Sequence, residues 1–170
     1  MKPFILSACL IVLFVSSRAQ VSYYKGEWTK IGSQANFSCL LKFELADSNV
    51  NAAILWTYNA IDSSDPVSVN YYKNKKGRMG IEYAKGKFSI SNHDIIFQGV
   101  SKSDPDLIIG LDKYLLKFSL DKRVIYGETY SNGDKDGLVY FIKNDDPSNK
   151  ENFELMENRL RRKSEDKAAR

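Results

Sequence analysis

The most suggestive run of ligand-type side chains is Asn132-Gly133-Asp134-Lys135-Asp136-Gly137. Oxygen donors at Asn132, Asp134 and Asp136, followed by glycine, match the first half of a calcium loop. The second half fails, because Lys143 stands where a bidentate glutamate belongs. The same residues are ordinary turn formers between strands, and a hairpin turn is the preferred reading. His93 is the single histidine and falls in Ser91-Asn92-His93-Asp94, a polar turn. Nothing in the spacing brings it a nucleophile or an orienting acid. Carboxylates cluster as Asp62 with Asp65, Asp104 with Asp106, and Asp145 with Asp146, all in turn-rich stretches. A hydrolase would need two carboxylates converging in one internal cleft. Cys39 alternates with Phe37, Leu41 and Phe43, which marks a core position rather than a nucleophile. Neither an enzyme nor a cofactor is expected.

Aromatic content is the positive feature. The chain has ten Tyr, nine Phe and two Trp in 170 residues. Tyr and Trp join an apolar ring to a polar tip, which suits ligand pockets and interfaces. Strands also favour aromatics for packing alone. The expected lining of a pocket is Trp28, Trp56, Tyr58 and Tyr126. A second candidate surface is the basic turn at Lys73 to Arg78, with Lys75, Lys76 and Arg78 as contacts for a partner. Asn36-Phe37-Ser38 is an N-glycosylation sequon.

These residues sit on strand-like segments at hairpin spacing. The expected strands are Tyr23 to Ile31, Ala35 to Leu45, Val50 to Tyr58 and Val67 to Tyr72. They continue with Met79 to Tyr83, Lys87 to Ser91, Ile95 to Val100 and Leu107 to Leu111. Lys113 to Leu120, Val124 to Tyr130 and Leu138 to Lys143 complete the series. Phe37, Cys39, Leu41, Phe43 and Leu45 share one face; Val50, Ala52, Ile54, Trp56 and Tyr58 share another; Val124, Tyr126 and Tyr130 share a third. A period of two means each strand buries one side, as antiparallel hairpins do. The stretches from Phe88 to Gly99 and from Phe118 to Gly127 repeat one grammar of strand, polar turn, strand and glycine. The fold class is all-β: an antiparallel up-and-down meander of about 8–10 strands closing into a barrel, with a C-terminal helix.

Three regions are expected. Residues 1–19 have the parts of a signal peptide: Lys2, an apolar run from Phe4 to Val15, and small residues around Ser17-Arg18-Ala19. Cleavage before Gln20 would give a secreted or periplasmic protein. The apolar run is short for a transmembrane span. Leu6-Ser7-Ala8-Cys9 has the form of a lipobox, but the apolar run continues past Cys9, which argues against lipid anchoring there. Residues 20–147 form the barrel domain. They carry 16 basic and 16 acidic residues, so no basic face exists for nucleic acid. Residues 148–170 form a charged helix and frayed tail. Ser148-Asn149-Lys150-Glu151 has the pattern of a capping box, and Phe153, Met156 and Leu160 form one apolar stripe. The helix is expected from about Asn149 to Lys163, docked on the barrel, with Arg161 to Arg170 in solvent.

Gly26-Glu27-Trp28 on the first strand of such a meander resembles the Gly-x-Trp of the calycin barrels: lipocalins, fatty-acid-binding proteins and avidins. The resemblance implies that Trp28 closes one end of a barrel holding a small apolar ligand. The last strand, Leu138 to Lys143, lacks the arginine that lipocalins pack on this tryptophan. Trp28 and Trp56 are the only tryptophans, so biotin is not expected. The functional expectation is an exported, non-enzymatic barrel that binds a small apolar or amphipathic ligand. The alternative is a secreted inhibitor or adhesion module that binds a protein or glycan through its outer loops. A hydrolase with carboxylate chemistry is the third reading.

Overall fold

The computed structural model describes residues 19–31, 36–60 and 66–169. The expected signal segment, Cys9, residues 61–65 and the side chains of Asn36 and Ser68 lie outside the described residues. Eight strands and two helices follow in order: β1 (Gln20–Lys30), β2 (Asn36–Ala46), β3 (Asn49–Ala60), α1 (Pro66–Tyr72), β4 (Met79–Phe88), β5 (Asp94–Ser103), β6 (Lys113–Phe118), β7 (Val124–Ser131), β8 (Asp134–Lys143) and α2 (Asn149–Ala168). Each strand pairs antiparallel with its sequence neighbours, and β1 closes on β8 from Tyr24↔Lys143 to Lys30↔Gly137. The result is a closed up-and-down barrel with a C-terminal helix.

The inward faces are those that alternation marks on β2 and β3. Phe37, Cys39, Leu41 and Phe43 are buried, as are Val50, Ala52, Ile54, Trp56 and Tyr58. Burial pushes the Cys39 thiol well above its ordinary range, which keeps it protonated and inert. The lower end of the barrel carries the β2–β3, β4–β5 and β6–β7 turns. There Ser89 N–H donates to Asp94 O and Ser119 N–H donates to Val124 O, both at 2.8 Å. The repeated grammar is thus two like hairpins at one end, and their Phe88 and Phe118 rings meet at 5.5 Å.

Four elements differ from the sequence expectation. Val67 to Tyr72 is α1, not a strand, with Pro66 pre-set for a first helical turn. The alternating Val67, Val69 and Tyr71 stay exposed, while Tyr72 turns inward and stacks on Tyr58 at 4.8 Å. Met79 to Ser91 holds one strand, β4, that runs unbroken through Lys85-Gly86-Lys87. Leu107 to Leu111 is a loop, because the Asp104 carboxylate accepts from Ile108 N–H and Ile109 N–H, both at 2.9 Å. Those two donors are lost to any strand ladder.

The fourth difference is at α2. No capping box forms: Ser148 makes no side-chain cap, and its hydroxyl donates to Asp146 instead at 2.8 Å. The helix continues to Ala168, past the expected end at Lys163. Phe153 and Leu160 are buried and Met156 is half-buried, packed with Leu55 and Ile81 on the outside of β3 and β4. Twenty residues span about 30 Å, enough to cross the barrel's height. At the far end Lys163 Nζ lies 2.9 Å from Asp106, and Lys167 Nζ donates to Pro105 O at 2.5 Å. So β3 and β4 are buried on both faces around Leu55 and Ile81, while Asn51, Lys85 and Lys87 stay exposed.

Candidate functional site

The upper end of the barrel carries the β1–β2, β3–β4, β5–β6 and β7–β8 connections. Both tryptophans of the chain point into this end, and a buried indole N–H needs an acceptor. Trp28 Nε1 donates to Thr129 Oγ1 at 2.7 Å. Trp56 Nε1 donates to Glu82 Oε2 at 3.3 Å. Glu82 is only 1 % exposed. Its Oε2 also accepts from Tyr114 Oη at 2.5 Å, and its Oε1 accepts from Asp112 N–H at 3.0 Å. Three neutral donors from β3, β6 and the β5–β6 loop therefore hold one buried carboxylate.

Two glycines make this arrangement fit. A Cβ on Gly99 would lie 2.1 Å from Glu82 Oε1, and a Cβ on Gly137 would lie 2.3 Å from Trp28 Nε1. The carboxylate and the indole each occupy the space where a side chain would stand.

Above these groups a cavity of about 130 Å³ is lined by Trp28, Phe37, Trp56, Tyr72, Glu82 and Tyr114, and by Asp112, Asp136 and Lys30. Ile108, Ile109 and Gly110 form its loop wall, held by Asp104. Tyr72 of α1 closes another side. Its burial pushes the phenol up to about 12.

The electrostatics are one-sided. Burial is the main cause that pushes Glu82 up to about 7, against the pull of its Tyr114 and Asp112 hydrogen bonds. Burial, then the nearby Asp136 carboxylate, pushes Asp112 up to about 6. Asp136 is 3.8 Å from Lys30. The site can thus accept hydrogen bonds, attract positive charge and change its own charge near neutrality.

Of the residues expected to line a pocket, Trp28 and Trp56 do so. Trp28 stands at the cavity end; the opposite end is filled by Tyr24, Phe43, Phe88 and Phe118. Tyr58 is buried one layer back, where it supports Tyr72. Tyr126 is a correction: it faces outward and is 49 % exposed. On β7 the inward residues are Ile125 and Thr129, and the apolar Val124-Ile125-Tyr126 run does not fix that phase from sequence.

The Asn132 to Gly137 run forms the hairpin turn that its turn-forming residues favour over a calcium loop. Asn132 and Gly133 both have positive φ, 52° and 94°, and link Ser131↔Asp134 as a two-residue hairpin. Among the described residues no group of three or more His, Cys, Asp or Glu is arranged for a metal ion. Asp136 alone of that run joins the cavity.

The basic turn is braced internally. Lys75 Nζ donates to Leu107 O at 3.1 Å and lies 3.5 Å from the Tyr71 ring centre. Arg78 is 4.0 Å from Asp106, and Lys76 is exposed.

Sequence reasoning missed Glu82, Asp112 and Tyr114. In Gly80-Ile81-Glu82-Tyr83-Ala84 the apolar Ile81 and Tyr83 look like the inward pair. They face outward beneath α2, so Gly80, Glu82 and Ala84 point in. The only available signal was that Glu82 sits in phase with two small residues. Comparison with protein-family models, with curated proteins and with solved structures finds no match for this chain.

Proposed function

We propose that this protein is an exported, non-enzymatic binding protein whose upper barrel end holds a small amphipathic ligand. One observation carries the reading: a cavity of about 130 Å³ with two indoles and a buried carboxylate on its walls. Apolar walls with a few converging polar groups are the usual make-up of a ligand pocket. An engineered apolar cavity of about 150 Å³ holds benzene, so this space suits one ring or the head of a longer amphiphile. A calycin-type role fits the up-and-down barrel and the Gly26-Glu27-Trp28 strand. Both tryptophans of the chain line the cavity, so intrinsic fluorescence reports occupancy without a label. A panel of small amphiphiles should contain members that shift this fluorescence and raise the melting temperature together. A panel that does neither argues against the small-ligand reading.

Carboxylate-dependent hydrolysis is favoured by one observation, the convergence of Glu82, Asp112 and Asp136 on the cavity. Glu82 spends three of its roughly four acceptor positions on protein donors, which suits a fixed binding group better than a proton-transfer residue. Turnover of a glycoside or ester that Glu82→Gln abolishes would move the assignment to an enzyme.

A further inference from the structure

A pocket at the upper end still has to choose among ligands, and its charge balance narrows the choice. Glu82, Asp112 and Asp136 line the cavity against a single cation, Lys30. Lys30 is already 3.8 Å from Asp136. Lys102, the other cation that acts on Asp112, is engaged with Asp104 at 3.5 Å and donates to Ile109 O. Neither Glu82 nor Asp112 makes an ion pair among the described residues. Five aromatic rings, from Trp28, Phe37, Trp56, Tyr72 and Tyr114, line the same space. Ring faces attract cations and repel anions. Glu82 accepts three hydrogen bonds and has about one acceptor position left for a ligand.

Resting on the reading of this cavity as a ligand site, we infer that it selects a small organic cation, a protonated amine on an apolar body of about one ring. The ammonium lies toward Glu82 and Asp112, and the body lies among Trp28, Phe37 and Trp56. A longer body extends out past Tyr72 and Ile109. An anion of the same shape meets three carboxylates, and a neutral isostere with a hydroxyl gains at most a hydrogen bond from them, without the charge attraction.

The binding is pH-dependent. Glu82 faces Trp56 from β3, Tyr114 from β6 and Asp112 from the β5–β6 loop. Asp112 in turn faces Asp136 from β8, Lys102 from β5 and Lys30 from β1. With both acids raised in the empty site, protons compete with the cation below about pH 6 to 7.

The test compares benzylamine, benzyl alcohol and benzoate on the intact protein, by calorimetry and tryptophan fluorescence, at pH 8 and pH 5. We expect benzylamine to bind about tenfold tighter than benzyl alcohol at pH 8, with benzoate weakest, and the preference to shrink at pH 5. Asp112→Asn and Glu82→Gln should each weaken benzylamine about fivefold or more and weaken benzyl alcohol clearly less, so that the preference for the cation narrows. Should Glu82→Gln not fold, the partly exposed Asp112→Asn carries the comparison alone. Equal binding of benzylamine and benzyl alcohol at pH 8, or full benzylamine affinity in Asp112→Asn, overturns the cation inference and leaves the ligand site standing. If none of the three perturbs the tryptophans or gives heat, the ligand-site reading falls as well.

Discussion

The two ends of this barrel are both built of aromatic residues, yet one is solid and the other hollow. At the lower end Tyr24, Phe43, Phe88 and Phe118 meet edge to face, with centroids 5.5 to 6.3 Å apart and planes at 80° to 87°. Three of these four rings carry no polar atom, so nothing interrupts their packing. At the upper end Trp28, Trp56 and Tyr114 each carry a donor that must find an acceptor. Thr129 and Glu82 supply the acceptors and bring polar atoms into the core. The connections differ in the same sense. Lower turns are short, whereas the upper β3–β4 and β5–β6 connections are long enough to hold α1 and the Ile108–Gly110 wall. One end is packed from rings alone, and the other brings polar atoms to the walls of a cavity.

The largest effect should come from the solid end. Phe118→Ala leaves a hole among packed rings and should cost about 3–5 kcal/mol in denaturant unfolding. It should leave a ligand's effect on tryptophan fluorescence intact in the fraction that folds. An equal loss of binding would mean the ends are not independent.

The outer wall joins the two ends, because α2 starts below and finishes above. Ending the chain after Asn149 removes Phe153, Met156 and Leu160 and should lower the melting temperature by roughly 10 °C. Ending it after Lys163 removes the part-buried Lys167 bond to Pro105 O and otherwise mostly exposed residues, and should change it by a degree or two. Equal melting of both truncations with the full chain would remove α2 from the stability of the fold.

Glu82 sharpens the contrast through pH. Its carboxyl is raised from the ordinary 4.5 to about 7, so between these values the folded state holds a proton that the unfolded chain has released. The stabilisation is therefore complete below about pH 4.5 and is lost as pH rises through 7. The gap corresponds to about 3 kcal/mol. Glu82→Gln should flatten the stability profile between pH 4.5 and 8 by roughly that amount. An unchanged slope would mean that the carboxylate titrates as if exposed.

The smallest effect belongs to Tyr126. Tyr126→Ser on the outer face should change stability by less than about 0.5 kcal/mol and leave ligand response untouched. Loss of ligand response would move the site to the outside of β7.

Much of this contrast could be read from the sequence where one face of a strand is wet. The alternation on β2 gave the inward set from Phe37 to Phe43, and Gly26-Glu27-Trp28 placed Trp28 on the first strand. Alternation failed where a helix covers the outside. Ile81 and Tyr83 on β4 are apolar because α2 packs over them, and this hid Glu82. It failed again at Val67 to Tyr72, where a period-two pattern belongs to exposed residues of a short helix. The Asp104 carboxylate shapes the Ile108–Gly110 wall through non-local backbone bonds that have no periodic signature. The candidate site was therefore half legible: its indoles and Asp136 were singled out, while Glu82, Asp112 and Tyr114 were not.

The most direct test follows the two indole N–H signals by NMR while a small amphiphile such as benzylamine is added at pH 8. The chain has only two tryptophans, one bonded to Thr129 and one to Glu82. Both indole signals should move and saturate together, while amides around Phe43, Phe88 and Phe118 stay still. Saturable shifts confined to the lower end or to the outer face around Tyr126, with both indoles unmoved, would contradict the assignment of the upper cavity as the functional site.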